Sequence, residues 1–87
     1  MDIETVKQQN LCAMKDFRNP ENRQQYLQNA VNRNLLVQKL SAIKNEAEAK
    51  ALQTESKLLE ELIAVINSND EALYSRLMRK YFLKRIA

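Results

Sequence analysis

Between residues 36 and 65 the chain carries apolar side chains at a spacing that suits an α-helix. Leu36, Leu40, Ile43, Ala47, Ala51, Thr54, Leu58, Leu62 and Val65 follow one another at intervals of four, three, four, four, three, four, four and three. Thr54 is the one polar member. An eleven-residue period of this kind holds its stripe on one side of a helix. It predicts a nearly straight or slightly right-handed packing in place of the left-handed supercoil of a seven-residue coiled-coil repeat. A helix with such a stripe lies against other helices.

The chain has no glycine and one proline in 87 residues, so almost nothing in it provides for tight turns or hairpins. This length suits one small domain, at a size where a single core is marginal. The expectation is one all-α domain over residues 1–87, with a long central helix flanked by two shorter ones. The helices should run over about 2–17, 20–66 and 69–86, packed as a helical bundle that dimerisation completes.

Asp2 is placed to cap the first helix, with Glu4 where the positive helix end favours an acid. Ile3, Val6, Ala13, Met14 and Phe17 fall on one face with Asn10 inside the same arc; Leu11 lies at its margin and Cys12 points away. The residue before Pro20 resists helical geometry, which stops this helix near Arg18. Asn19, Pro20 and Glu21 then read as cap, first position and acidic first turn of the next helix. From there to Asn67 no glycine or proline interrupts, and a continuous helix over 20–66 spans about 70 Å at 1.5 Å per residue. Asn45 to Glu48 resembles a weak capping box and marks the one possible break, near residue 45. The unbroken phase of the stripe favours continuity.

Before the stripe lies an amide-rich segment in which Gln25, Asn29 and Asn32 occupy the projected stripe positions. It reads as a solvated helix end or as a polar seam that fixes register. After the stripe, Ser68 with Glu71 forms a capping box for a terminal helix. That helix places Leu73, Tyr74, Leu77, Met78, Tyr81 and Phe82 on one half, with Arg76, Arg79 and Lys80 on the other. The formal net charge is +3, and the excess lies wholly in the last twenty residues, where Asp70 and Glu71 face Arg76, Arg79, Lys80, Lys84 and Arg85.

Nothing in the sequence assembles a catalytic centre. There is no histidine to act as a base near neutral pH. The single Cys12 has no activating partner beyond Lys15 one turn away. Glu46 with Glu48 and Glu60 with Glu61 are offset so that they do not share a helix face. Without glycine there is no phosphate-cradling loop, and the residue counts exclude a Cys/His metal site. We expect no enzyme activity, no cofactor, no metal and no small-molecule substrate. A lone cysteine, the absence of a membrane-length apolar run and an N-terminus unlike a secretory signal suggest a cytoplasmic protein.

Two functions are physically supported. The first is a helical protein–protein interaction module, an adaptor, chaperone or regulator, acting as a homodimer or on a helical partner. Its interface is expected at Leu36, Leu40, Ile43, Ala47, Ala51, Leu58, Leu62 and Val65. Two helices of roughly sixteen residues cannot cover a stripe of about 70 Å, and uncovered apolar surface marks association. In an antiparallel self-association the small residues Ala47, Ala49 and Ala51 would sit at the crossing point. The alternative is nucleic-acid binding through residues 73–87. Arg76, Arg79, Lys80, Lys84 and Arg85 would neutralise phosphates, and Tyr74, Tyr81 and Phe82 would stack on bases. Attachment of this helix to an anionic membrane surface is a weaker third idea.

Overall fold

The computed structural model describes residues 2–83, and among them every element is helical. The order is α1 (Ile3–Arg18), α2 (Pro20–Gln28), α3 (Ala30–Ala49), α4 (Gln53–Ser68) and α5 (Glu71–Met78), the last continued by a π-helical segment, Arg79–Leu83. The start of α1 is as expected: Asp2 Oδ1 accepts from the Thr5 amide at 2.7 Å. Asn19 caps α2 by accepting from the Glu21 amide at 3.0 Å, ahead of Pro20 in the first turn.

The expected continuous helix over 20–66 is not present; the structure divides it twice. The first division is at Asn29, whose backbone is extended (φ −121°, ψ 110°). Its Oδ1 accepts from the amides of Val31 and Asn32 at 3.0 and 3.2 Å. A short amide side chain thus takes over the bonding that helix continuation would have supplied. Arg33 Nη1 donates to the Leu27 carbonyl at 3.2 Å, satisfying one acceptor at the end of α2.

The second division is at residues 50–52, five residues beyond the capping box at Asn45 that marked a possible break. Here the Leu52 amide donates to the Ala47 carbonyl at 2.8 Å and the Ala51 amide to the Glu48 carbonyl at 3.0 Å. That pair of bonds is a Schellman motif, which needs a left-handed residue at its centre. Ala51 takes the role with φ 56°. Glycine would do so freely; an L-residue with a Cβ gives up about 1–2 kcal/mol. What offsets this is burial, because the turn lays α4 back along α3 and closes the stripe on itself. Leu40, Ile43 and Ala47 of α3 are buried in one cluster with Leu58, Leu59, Leu62, Val65 and Ile66 of α4. The described residues measure 33 × 31 × 17 Å, about half the length of the rod first expected.

α1 lies across this hairpin with Val6, Asn10, Met14 and Phe17 inward. Asn10 is fully buried, and neither its Oδ1 nor its Nδ2 has a hydrogen-bond partner among the described residues. Between α4 and α5 the expected capping box of Ser68 and Glu71 gives way to a different pair. Ser68 ends α4, Asn69 turns left-handed at φ 52°, and Asp70 caps α5 by accepting from the amides of Ala72 and Leu73 at 2.9 and 3.2 Å. Asp70 is the stronger cap because its charged acceptor also meets the positive helix end. Leu77, Met78 and Tyr81 complete the core.

Candidate functional site

The eight residues expected at an interface separate into three groups. Leu40, Ile43, Ala47, Leu58, Leu62 and Val65 are buried within the one chain, Leu36 is half-buried, and Ala51 is exposed at the turn. The length mismatch that suggested dimerisation is therefore met inside the molecule, by folding the stripe in two. Apart from Ile3 at the start of α1, the large apolar side chains left exposed lie at the other end of α3. Val31 is 66 % exposed and Leu35 is 59 % exposed, one turn apart on the same face.

Leu35 stands on a groove of about 880 Å³ between α1 and α3. On the α1 side Thr5, Gln9, Cys12 and Asp16 recur at four, three and four residues, forming one wall. On the α3 side Asn32, Leu35, Leu36 and Lys39 form the other, with Ala13 and the buried Leu40 beneath. The trough between the two helices is thus apolar along its base and polar at its edges.

Its electrostatics are one-sided. Asp2, Glu4 and Asp16 line it against the single cation Lys39. Asp16 is half-buried and accepts from Asn22 Nδ2 and from the Tyr26 hydroxyl, each at 2.7 Å. Among the described residues no cation pairs with it. The hydrogen bond to Asp16, aided by burial, pushes the Tyr26 phenol up to about 12. Asp2 is held below its ordinary carboxylate range by its bonds to Thr5. Cys12, the lone cysteine, is exposed on the groove wall.

The second candidate surface is the terminal helix. Arg76, Arg79 and Lys80 are exposed, and Lys80 Nζ lies 2.9 Å from Glu61 Oε1. Lys84 and Arg85 lie outside the described residues. The aromatic rings proposed for base stacking are used in packing. Tyr81 is buried edge-on to Phe82 with centroids 5.1 Å apart. Tyr74 meets Phe17 at 5.9 Å, and the Arg23 guanidinium lies 4.0 Å above its ring. Arg18 lies 4.5 Å from the Phe82 ring. The glutamates of the middle segment sit in partly exposed ion pairs one turn apart: Glu46 with Lys50 at 3.6 Å and Glu48 with Lys44 at 3.3 Å.

The groove is what reading the sequence missed. Its α3 wall lies across the start of the stripe, and Leu35 was passed over for its neighbour Leu36. The contact of Asp16 with Tyr26 crosses a helix boundary and leaves no periodic trace. Among the described residues no group of three or more Cys, Asp and Glu side chains is placed to hold a metal ion, and no helix is long and apolar enough to cross a membrane. Comparison with protein-family models, with curated proteins and with solved structures gives no match in any of the three.

Proposed function

We propose that this chain is a small, non-enzymatic protein–protein interaction module, an adaptor, chaperone or regulator, that seats a helical partner in the α1/α3 groove. The observation that carries the reading is the exposure of Leu35 and Val31 beside a trough whose base is already apolar. A partner helix with an apolar face would cover both. Its flanks should be basic, because the groove holds three carboxylates against one ammonium. A second copy of the chain is one such partner and would make the assembly a homodimer.

The test compares wild type with Leu35→Asp in affinity capture from the native host. Leu35 is exposed, so the substitution leaves the fold intact while placing a charge where the partner's apolar face must lie. Capture should fall about tenfold or more, the usual consequence of losing a central contact. In the wild-type complex a thiol reagent should reach Cys12 more slowly than in the free protein. The same proteins captured by both variants, with Cys12 equally reactive bound and free, would end this reading.

Nucleic-acid binding is the second reading. Its support is that α1 and α2 bring Arg18 and Arg23 onto the aromatic side of the terminal helix, next to a segment already rich in cations. With the rings engaged in packing, it would rest on phosphate contacts and weaken steeply with salt. Retention of DNA or RNA at ~50 mM salt, lost when Arg76, Arg79 and Lys80 become Gln, would favour it.

A further inference from the structure

The turn between α3 and α4 is the place where the backbone works against the residues that form it. Lys50, Ala51 and Leu52 are all strong helix formers. Ala51 nonetheless holds a left-handed φ of 56°, and no side chain caps the start of α4. The stripe also passes through the turn in helical phase, since Ala47, Ala51, Thr54 and Leu58 are spaced four, three and four. A straight α3–α4 helix is therefore a natural state of these same residues. It is prevented only because α3 and α4 need each other's apolar faces, and a second copy supplies those faces equally well.

We propose that two copies of this chain exchange α4 and the segment that follows it. In the exchanged dimer residues 30–68 run as one helix of about 57 Å. Two such helices cross antiparallel around residues 47–51, where Ala47, Ala49 and Ala51 let the backbones approach. Each α4 packs on the α3 and α1 of the other copy, so the core contacts that α4 makes across the turn are re-formed between chains while those within α1–α3 stay inside each chain. The contacts of Tyr74 with Phe17 and of Phe82 with Arg18 pass across the same boundary. The α1/α3 groove is built wholly from residues 2–40, so each half keeps it and the dimer carries two.

The experiment refolds wild type, Ala51→Gly and Ala51→Val at high and at low chain concentration and weighs the products by light scattering. Wild type refolded at high concentration should yield a species of twice 10.2 kDa. Glycine relieves the left-handed residue and should lower the dimer association constant roughly 5–30-fold per turn, applied twice per dimer. Valine, β-branched and worse at positive φ, should raise it. Only monomer in all three after concentrated refolding would overturn the proposal, as would a dimer fraction that ignores residue 51. Should Ala51→Val fail to fold, wild type against Ala51→Gly still decides.

A distance measurement separates exchange from surface pairing. In a Cys12→Ser background, labels at Gln38 and Ser68 of one chain, diluted in unlabelled chains, lie close across the hairpin. They should lie about 45 Å apart in the exchanged dimer. A dimer that keeps the short distance is an ordinary surface dimer, and the proposal fails.

Discussion

The two halves of α3 share one helix and face opposite environments. In the second half Leu40, Ile43 and Ala47 are buried against α4. In the first half Val31 and Leu35 stand in solvent, with the exposed amides of Asn29, Asn32 and Asn34 around them. Residue type does not explain the contrast, since leucine occurs on both sides of it, Leu40 buried and Leu35 exposed. Position around the helix matters: Leu36 and Val37 beside Leu35 are packed against the core, whereas Val31 and Leu35, one turn apart, share a face that is left open. Val31 and Leu35 therefore contribute little to holding the chain folded, unlike Leu36 and Val37 of the same half.

Paired truncations break this contrast most sharply. Leu62→Ala removes a fully buried side chain and should cost about 2–5 kcal/mol in denaturant unfolding, while Leu35→Ala should cost less than ~0.5 kcal/mol. Equal costs would mean that the open half is part of the core after all. Asp16→Ala tests the polar closure of the groove next. Loss of the acceptor for Asn22 and Tyr26 should cost about 1–2 kcal/mol and let the Tyr26 phenol fall from about 12 towards its ordinary 10, read in tyrosinate absorbance. Because the folded phenol titrates above the unfolded one, its contribution is whole below pH 10. It is lost as pH rises through the folded value near 12.

Asn10→Leu addresses the packed half from the other direction. It replaces a buried amide without partners by an apolar group of similar size, and should raise stability by about 1 kcal/mol. Asn29→Ala removes the side chain that divides α2 from α3 and should cost a similar ~1 kcal/mol. Its signature is local, with hydrogen exchange faster in α2 than in α4. Smallest of all is Lys80→Ala. Its ion pair with Glu61 is exposed on both sides and should contribute less than ~1 kcal/mol, most of it gone in high salt.

Much of the fold could be read from residue order because capping and periodicity are local. The ends of α1, the start of α2 and the inward face of Val6, Asn10, Ala13, Met14 and Phe17 need only neighbours within a turn or two. Ile3, expected on that face, is exposed at the first turn of α1, where no described residue fully covers it. The stripe from Leu36 to Val65 is legible as a helix-packing face, but its buried members pack on its own other half, with Leu36 half-buried and Ala51 and Thr54 exposed. That outcome depends on a long-range comparison between one αL alanine and the burial of two helices, and no window of sequence contains it. Asn29 was legible in principle. Two short amides sit near it at three and five residues' distance, and a side chain able to bond the amides two and three positions on is a cap before it is a seam. The groove was not legible, because its walls come from helices whose relative placement follows from the hairpin.

The left-handed alanine also turns stability into a question of chirality. At residue 51 the backbone has the sign that a D-amino acid prefers, and the side chain there is a single exposed methyl. A chain made by chemical synthesis with D-alanine at that one position would keep composition, charge and side-chain volume unchanged. It would also avoid the extra freedom that glycine gives the unfolded chain. The hairpin would gain what the mirror-image centre no longer opposes, and a straight helix through the same point would become the disfavoured form.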